Sequence, residues 1–570
     1  MRTPFCLAAP GFAVGTAEGE RCFRFRPLYA RASLAFRKLS VWLIVGIAIS
    51  LAEPGFAGQS FDDEFDAAMT RFWGAATDEE FRGAIDAVLE TQPDIETIWS
   101  RLRRGRDYQS DVPTGRQFLS RTNRDGVTHG YILQIPEGYT PERRYPVRVY
   151  LHGGVMRPKR DDGSWWRNED RMLRDDTIVV FPASWDESIW WQDSQIENLS
   201  GVINEIKQTY NVAENQVYLL GISDGGTGAY YHAFKSTTPW AGFLSFIGHP
   251  GVLGNASSAV DGQMHVTNLR NKPFFVVNGG QDRLYPTVNV VPFLRLFQEA
   301  GVFINFRPQP ESGHDLSWWE NESSAIDSFI EEVHRQPLPN PLSWETERTD
   351  KYSRAHWLVI DELGPVEGEP DLGAFNEIVD PSSGAPLGIN TIGEMADGTG
   401  LRIFEVGENS IVSEAGMRAD DTIVEIEGQE APTVEMLKEA LMGFSPGDQL
   451  SLVVLREDTR TPLVLNYPET AAPRMRQAFP LQQASGRVEL RMPDRNTVSA
   501  RTRGVRRFTL LLSPEEFDFT APVSVEVNGV PVIEQMVEAD VEALLRWAAI
   551  DQDRTMLFGA ELEIVVPSGP

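Results

Sequence analysis

The chain has 570 residues, of which 41% are hydrophobic, with 14 tryptophans and a formal net charge of −30 at pH 7. This length exceeds what one hydrophobic core supports and predicts about two to four domains, and the composition excludes a disordered chain. Phosphate binding needs a basic face, and we find no basic stretch after the N-terminal segment, so nucleic acid is excluded as a partner. The negative charge favours solubility and carries no information about a reaction.

The first 57 residues have the pattern of an export signal. An apolar run over 39–52 follows a long basic region, and no acidic residue lies between Glu20 and Glu53. The run is shorter than the roughly 20 residues that a membrane helix needs, and small residues suit a cleavage site after Ala57. We therefore expect 1–57 to be a signal peptide and the mature protein to be periplasmic or secreted. The alternative is an uncleaved anchor in the inner membrane, with the protein facing the periplasm; only then would the membrane be a partner.

Both cysteines, Cys6 and Cys22, precede the proposed cleavage point. The mature protein would then have no disulfide, no thiol nucleophile and no thiolate metal site. No spacing of His, Asp or Glu elsewhere in the chain indicates a metal site, and we expect no cofactor.

Residues 58–114 are predicted to be helical, because apolar residues recur at helical spacing between 61 and 89. Ser60 suits the N-cap of a first helix, and Thr77 with Glu80 three residues later has the pattern of a capping box for a second helix. No residue of this segment indicates chemistry. We expect it to form a helical cap on the domain that follows.

Residues 115–336 alternate between short apolar strands and helices. Strands are predicted near 127–136, 147–151, 177–181, 217–220, 243–247, 273–278 and 303–307, and helices near 196–210, 292–300 and 320–334. This alternation predicts a doubly wound, mostly parallel α/β sheet with helices on both faces. In such a sheet the reactive groups lie on loops beyond the C-terminal ends of the strands.

The remaining chain is predicted to have three parts. Residues 337–384 contain a strand and an acidic linker rich in Gly, Pro and Ser, 385–468 form a compact module, and 469–570 form a β-rich C-terminal domain. We expect the strand within 345–362 to belong with the C-terminal domain, which makes the compact module an insertion.

Ser223 lies in the segment Gly221-Ile-Ser-Asp-Gly-Gly226. An apolar run leads into this segment, and small residues that can begin a helix lead out of it. This is the strand, sharp turn and helix of a nucleophile elbow. A G-x-S-x-G pattern alone is usually an ordinary turn, so the setting is what makes Ser223 a candidate nucleophile.

An acyl-transferring serine needs a base, a carboxylate that orients the base, and donors for the oxyanion. Three segments at the ends of predicted strands carry such groups: Glu311-Ser-Gly-His-Asp315, Gly279-Gly-Gln-Asp-Arg283 and His152-Gly-Gly154. The chain order Ser223, Asp282, His314 is the order found in α/β-hydrolases.

On these motifs, residues 115–335 resemble the α/β-hydrolase superfamily, in particular the branch of dienelactone hydrolases, polyhydroxybutyrate depolymerase-like esterases and prolyl oligopeptidase-type peptidases. The resemblance implies that Ser223 is the nucleophile, His314 the general base and Asp282 its orienting carboxylate. Two other carboxylates remain alternatives to Asp282 on another topology: Asp261 and Asp186.

The resemblance also implies the oxyanion donors, which are the backbone N–H groups of Gly153, Gly154 and Asp224. His152 is expected to shape the loop that presents the two glycines rather than to titrate.

Three tryptophan pairs follow strand ends at the reactive edge: Trp165 and Trp166, Trp190 and Trp191, and Trp318 and Trp319. Such rings can wall a pocket and stack on sugars or aromatic groups, or they can pack within loops. Because all three pairs fall on one edge, we expect at least one pair to line the cleft. His249 follows another strand and is a further candidate for substrate contact.

Residues 385–468 resemble a bacterial PDZ domain of the type carried by periplasmic serine proteases, with matching segments at 386–389, 400–406 and 434–442. The resemblance implies that the loop Leu387-Gly388-Ile389 offers N–H groups to the carboxylate of a peptide C-terminus. The peptide would add as a strand beside that loop, against a helix whose Leu437 and Leu441 line the groove. A module that packs on its own chain and binds nothing is the alternative.

The sequence therefore favours an exported serine hydrolase that cleaves a small-molecule ester through an acyl-enzyme, with a PDZ domain that binds a protein C-terminus. A prolyl oligopeptidase-like serine peptidase that acts on a peptide substrate is the second hypothesis. The third is a binding protein with an inert hydrolase fold, which the intact Ser223, Asp282 and His314 argue against.

Overall fold

The computed structural model describes most of the chain after the N-terminal segment. The described residues are 57–166, 169–258, 260, 262–366, 370–380, 388–395, 398–407, 410–442, 447–468 and 475–567. The expected signal or anchor segment before Ala57 lies outside them. Within the described residues, no helix is long and apolar enough to cross a membrane.

Three helices open the described chain: α1 (Ala57–Gly74), α2 (Asp78–Glu90) and α3 (Ile95–Arg104). Thr77 caps α2 and forms the predicted capping box with Glu80, in which each side chain accepts a hydrogen bond from backbone N–H at the other residue. Ser60 lies inside α1 and not at its cap, because α1 already begins at Ala57.

Eight strands form the central sheet: β1 (Gly115–Thr122), β2 (Thr128–Ile135), β3 (Tyr145–Leu151), β4 (Ile178–Pro182), β5 (Val212–Ile222), β6 (Gly242–Phe246), β7 (Phe274–Gly279) and β8 (Ile304–Gln309). Their order is β1-β2-β4-β3-β5-β6-β7-β8. Strands β3 to β8 run parallel, and β1 and β2 complete one edge in antiparallel pairing. This confirms the predicted, mostly parallel sheet of the α/β-hydrolase type.

Four helices cover the two faces of this sheet: α4 (Asp193–Thr209), α5 (Asp224–Lys235), α6 (Thr287–Glu299) and α7 (Trp319–Glu332). The apolar residues of α4, α5 and α6 form one buried core with the sheet, and those of α7 form a second core on the opposite face. The parallel strands are buried on both faces, which explains their nearly continuous apolar sequences.

Three short strands follow α7 and lead into the C-terminal region: β9 (Leu342–Thr346), β10 (Arg354–Ala355) and β11 (Leu358–Leu363). A small antiparallel stem follows, in which β12 (Glu377–Val379) pairs with β19 (Met475–Gln477). Ile378 of the stem, and Ala478 and Phe479 directly after it, are buried in the core that α4, α5 and α6 share with the central sheet.

The chain between the two stem strands carries a separate six-stranded sheet and two helices: β13 (Ile389–Glu394), β14 (Leu401–Val406), α8 (Ile411–Glu414), β15 (Thr422–Ile426), β16 (Gln429–Glu430), α9 (Val434–Met442), β17 (Gln449–Arg456) and β18 (Thr459–Asn466). The sheet order is β13-β14-β15-β17-β18, and β16 pairs with β15. These elements have their own buried core.

Six strands and a helix complete the chain: β20 (Gly486–Asp494), β21 (Thr497–Arg503), β22 (Val505–Leu512), β23 (Val523–Val527), β24 (Val530–Gln535), α10 (Val541–Asp551) and β25 (Ala560–Val565). They form two sheets, and β9 and β11 pair with β20 and β22 across the intervening chain. The compact module therefore lies in the chain between strands that pair with one another. The N-terminal helices α1 to α3 share their apolar core with α10 and not with the central sheet, which differs from the expected cap.

Glu347, which follows β9, contacts two buried basic residues in the domain of the central sheet. Its carboxylate lies 2.7 Å from Lys235 Nζ on α5 and 2.7 Å from His265 Nε2. Burial alone would raise the pKa of Glu347, but the bonds from His265 and Lys235 outweigh it and lower the pKa to about 2. Asp350, three residues later, has a pKa of about 2 through its exposed contact with Arg348.

We predict that Glu347→Gln lowers the free energy of unfolding at pH 7 by about 3 kcal/mol, because the buried carboxylate that Lys235 and His265 share is lost. A carboxylate whose pKa is lowered by folding stabilises the folded state above its unfolded pKa of about 4.5, and this contribution disappears as the pH falls toward 2. The wild type should therefore lose stability more steeply than the variant between pH 5 and 2 in urea unfolding. Asp350→Asn is the matched control, and an equal loss in that exposed variant would contradict the prediction.

Candidate active site

Ser223 occupies a sharp turn between β5, which ends at Ile222, and α5, which begins at Asp224. Its backbone has φ +58° and ψ −119°, a conformation that is rare outside glycine and costs about 1–3 kcal/mol. The flanking glycines are required sterically, since a Cβ at Gly221 would collide with the carbonyl of Gly225. The Ser223 N–H donates to Phe246 O at 2.9 Å, which ties the turn to β6. The turn therefore presents the hydroxyl at the C-terminal edge of the sheet, as the elbow pattern predicts.

The structure brings Ser223, His314 and Asp282 into one hydrogen-bonded chain. The Ser223 Oγ lies 2.7 Å from His314 Nε2, and His314 Nδ1 lies 2.7 Å from Asp282 Oδ2. His314 stands on the loop after β8 and Asp282 on the loop after β7, so both reach Ser223 from neighbouring strand ends. Of the two alternatives to Asp282, Asp186 is exposed and contacts neither residue, and position 261 lies outside the described residues.

Asp282 is buried, and its carboxylate is held ionised by donors. Burial alone would raise the pKa of Asp282, but hydrogen bonds from His314 and from the N–H groups of Tyr285 and Leu284 outweigh it and lower the pKa. Both N–H groups donate to Asp282 Oδ1 at 2.8 Å, which leaves Oδ2 for His314. A fixed, ionised carboxylate selects the imidazole tautomer with its proton on Nδ1, so Nε2 can accept the proton of Ser223.

The Asp224 carboxylate joins the elbow to the loop after β3. Its Oδ2 accepts the N–H groups of Gly154 at 2.9 Å and Val155 at 3.1 Å. Because its N–H is already engaged, Gly154 is not a free oxyanion donor, which corrects the expectation from sequence. No described residue accepts the N–H of Gly153 or of Asp224, so these two donors stay available beside Ser223.

Tyr285 contacts both Asp224 and His314, and no sequence pattern singles it out. Its hydroxyl donates to Asp224 Oδ1 at 3.2 Å, and its ring lies edge-on to His314 with 5.5 Å between centroids. His249 also packs against Tyr285, with 5.6 Å between the centroids of the two rings. Burial lowers the pKa of His249 to about 4, and its Nδ1 accepts the Gly251 N–H, so it supports Tyr285 and does not line the cavity described below.

Both ring nitrogens of His152 form hydrogen bonds to the backbone. Its Nδ1 donates to Gly153 O at 2.9 Å and its Nε2 accepts the Ser184 N–H at 3.0 Å, which is the pattern of a neutral ring. Burial lowers the pKa of His152, in agreement with that neutral state. The indole of Trp190 donates to His152 O at 2.8 Å and so holds the same loop from beneath.

One of the three tryptophan pairs lines the cavity beside Ser223. Trp165 and Trp166 wall a cavity of about 280 Å³ that lies beside Gly153 and Ile222. The other four rings are buried structural groups that do not line this cavity: Trp190 beneath the His152 loop, Trp191 bonded to Ser258 O, and Trp318 and Trp319 in the core under α7. Trp185 lines the cavity as well, which sequence reasoning missed because it is not one of the pairs.

Cationic side chains at the mouth of this cavity were also missed. The segment Arg157-Pro158-Lys159-Arg160 places Arg157 and Arg160 on the cavity lining, and both are exposed. The run is only four residues long and is followed by two aspartates, so a scan for basic stretches does not detect it. Within the described residues, no group of His, Cys, Asp or Glu is placed to hold a metal ion.

The inserted module has an open strand edge. Strand β13 is paired only with β14 among the described strands and lies against α9, so a peptide could add between them. Gly388 precedes β13 with φ +79°, and a Cβ there would strike Ser410. Ile389 begins β13 opposite Val406, while Leu387 lies outside the described residues. Leu437 is buried in the module's core, so of the two predicted groove residues only the half-buried Leu441 presents surface.

Comparisons with known proteins agree with this division of the chain. Residues 384–465 match the family model of the PDZ domain, so the inserted module is a PDZ domain. No curated protein matches the sequence of the chain.

Solved structures resemble the chain only in part. A thermostable esterase is 19% identical with a TM-score of 0.31, over 39% of this chain and 63% of its own length. A ferulic acid esterase is 17% identical with a TM-score of 0.31, over 38% and 98%. The Pyrococcus horikoshii acylaminoacyl peptidase is 13% identical with a TM-score of 0.33, over 40% and 43%. These similarities are too low to assign an activity.

We predict that Asp224→Ala slows the reaction of Ser223 with a fluorophosphonate by about 10–100-fold. Loss of the carboxylate frees the loop of Gly154 and Val155, so the Gly153 N–H is no longer held beside the hydroxyl, and a missing oxyanion donor alone costs about 10²–10³-fold. Time-resolved labelling measures the rate. Asp186→Ala removes an exposed carboxylate near the same loop and is the control. Equal rates in the two variants would show that the Asp224 carboxylate does not position the Gly153 N–H.

Proposed function

We propose that this chain is a serine hydrolase that cleaves an ester through an acyl-enzyme at Ser223. The observation that carries the proposal is the pair of 2.7 Å hydrogen bonds that link Ser223 Oγ to His314 and His314 to Asp282. The elbow conformation of Ser223 and the free N–H groups of Gly153 and Asp224 beside it support the same reaction.

In the proposed reaction, Ser223 Oγ attacks the carbonyl carbon of the ester while its proton passes to His314 Nε2. The π electrons of the carbonyl move to its oxygen, which becomes an oxyanion facing the N–H groups of Gly153 and Asp224. Asp282 stabilises the imidazolium of His314. As the intermediate collapses, the bond to the alcohol oxygen breaks and His314 gives that oxygen its proton. A water molecule, deprotonated by His314, then attacks the acyl-enzyme, and Ser223 Oγ regains a proton as the carboxylic acid leaves.

The size of the cavity supports an ester with a compact acyl group. Its volume of about 280 Å³ lies below the roughly 300–1,000 Å³ of sites that enclose drug-sized ligands. A serine peptidase is the second candidate, because a PDZ domain on the same chain can raise the local concentration of a polypeptide. An inert fold that serves only PDZ binding is the third, and the intact hydrogen-bonded chain from Ser223 to Asp282 opposes it.

We predict that the wild type hydrolyses p-nitrophenyl esters of compact acids with a kcat/KM at least 100-fold above that for peptide p-nitroanilides. Ser223→Ala should lower kcat on the esters by at least about 10³-fold and abolish fluorophosphonate labelling. Equal turnover of anilides and esters would favour the peptidase. Folded wild-type protein that gives no Ser223-dependent adduct would refute the proposed function.

We further propose that the PDZ domain binds a peptide C-terminus along β13. The unpaired edge of that strand, the left-handed Gly388 before it and the flanking α9 support this mode. We predict that the full chain binds C-terminal peptides selected from a library, and that amidation of the terminal carboxylate weakens binding at least tenfold. Calorimetry with each peptide and its amide measures this, and equal affinities would exclude carboxylate recognition.

Export to the periplasm or the medium is proposed on the basic and apolar pattern of 1–57. N-terminal sequencing of the protein made in a bacterial host tests it, with Gly58 as the expected first residue. An intact, membrane-associated N-terminus would favour the anchored alternative.

A further inference from the structure

We propose that the cavity beside Ser223 binds an acyl group that carries a ring and a free carboxylate, with Arg157 and Arg160 as the carboxylate receptors. The inference rests on the proposed ester hydrolysis and names the substrate class for the same site. It follows from the position of the cavity, the chemistry of its walls, and the absence of ionic partners for the two guanidinium groups among the described residues.

The cavity adjoins Ser223 through the residues that flank it, although Ser223 itself is not part of the lining. Gly153 and Ile222 line it, and a Cβ built on Gly153 would lie 2.8 Å from Ser223 Cβ and 3.3 Å from Ser223 Oγ. A group that fills the cavity therefore lies next to the carbon that Ser223 attacks in the proposed reaction.

The position of His314 decides whether the acyl half or the alcohol half of the ester fills the cavity. His314 must protonate the departing alcohol oxygen, so the alcohol lies on the side of His314 Nε2. Neither His314 nor Tyr285 lines the cavity, whereas the donor loop of His152, Gly153 and Gly154 does. The cavity therefore takes the acyl half, which stays on Ser223 after the alcohol has left.

The walls of the cavity are aromatic on one side. Trp165, Trp166 and Trp185 line it together with Met172 and Leu316. Trp165 is half-buried and leans on Phe118, so part of its ring surface stays open to the cavity. Flat indole surfaces favour a planar ring, and a volume of about 280 Å³ holds one such ring with its substituents.

The rim of the cavity is cationic. The guanidinium carbon of Arg157 lies 3.5 Å from the Cβ position of Gly154, which places its charge over the donor loop. Arg160 donates to Ser164 O and Oγ, and neither arginine has an ion-pair partner among the described residues. Lys159 is engaged elsewhere, with its ammonium over the ring of Trp185 and bonded to Thr128 O.

The neighbouring acidic side chains do not neutralise this rim. Asp161 lies 3.5 Å from Lys159 Nζ, and Asp162 Oδ1 accepts the Ser164 N–H at 3.0 Å. Hydrogen bonds from Ser164 lower the pKa of Asp162, with a smaller contribution from Arg160, and neither aspartate lines the cavity. In a chain of net charge −30, two unpaired guanidinium groups at a cavity mouth offset the general repulsion of an anion and offer it bidentate donors.

Binding to Ser223→Ala tests the proposal without turnover. The probes are mono-(4-nitrophenyl) terephthalate, whose acyl ring carries a carboxylate, and its neutral isostere 4-nitrophenyl 4-carbamoylbenzoate. We expect calorimetry on the full chain to give at least tenfold tighter binding of the carboxylate. Adding Arg157→Gln and Arg160→Gln to this background should reduce that preference to about twofold, as should 0.5 M NaCl.

Arg144→Gln on the same background is the matched control, since Arg144 is an exposed arginine at the opposite end of β3. It should keep the full preference. Equal binding of the two esters by Ser223→Ala, or a preference that survives the double arginine substitution, would overturn the proposal.

Turnover by the parent enzyme separates this proposal from the proposed function. The kcat/KM of each ester, divided by its hydroxide-catalysed rate, should show the same carboxylate preference and the same loss in the arginine variants. Arginine-dependent binding without Ser223-dependent hydrolysis would leave the cavity assignment standing and refute the hydrolase. Ser223-dependent hydrolysis with equal rates for the charged and the neutral ester would support the hydrolase and refute the cavity assignment.

Discussion

The carboxylate of Asp224 is the group on which the geometry of the candidate site depends. It accepts two N–H groups from the loop after β3 and one hydroxyl from Tyr285, and its own backbone begins α5 directly after Ser223. Three loops from three strand ends are therefore fixed against one side chain. Because Gly154 has φ +69°, its loop turns sharply at that point, and the two hydrogen bonds to Asp224 hold the turn with the Gly153 N–H toward Ser223.

The same arrangement explains how the strained elbow persists. A non-glycine residue at φ +58° is unfavourable in isolation and is retained only where its surroundings determine it fully. The Ser223 N–H is bonded to β6, and the adjacent glycines pack so tightly that side chains would collide with the backbone of α5 and β3. Backbone strain at Ser223 is thus balanced by close packing in the core behind it. Phe479, beside the stem of the PDZ insertion, extends that core by stacking edge-on against Phe234 of α5.

Sequence reasoning recovered what depends on local pattern and chain order. The parallel strands are short apolar runs, and His314 and Asp282 stand immediately after two of them, so strand prediction alone brought these side chains to the edge that carries Ser223. Strand β1 was missed because it is an edge strand with alternating half-exposed, largely polar residues. The side-chain role of Asp224, the contact of Tyr285 and the burial of Trp318 depend on distances between segments far apart in the chain, which periodicity does not contain.

The basic side chains of the molecule fall into two groups, buried ones with acidic partners and exposed ones at the cavity, and the two groups have different explanations. Buried pairs fix the C-terminal region to the central sheet: Lys235 with Glu347, Arg335 with Asp553, and Arg554 with Glu214. A buried cation without such a partner would be strongly destabilising, so these arginines and lysines are explained by the fold. Arg157 and Arg160 are exposed, unpaired among the described residues, and gathered at the mouth of a cavity that adjoins Ser223. The fold does not require them there, whereas the proposed anionic acyl group would use both of them beside Ser223.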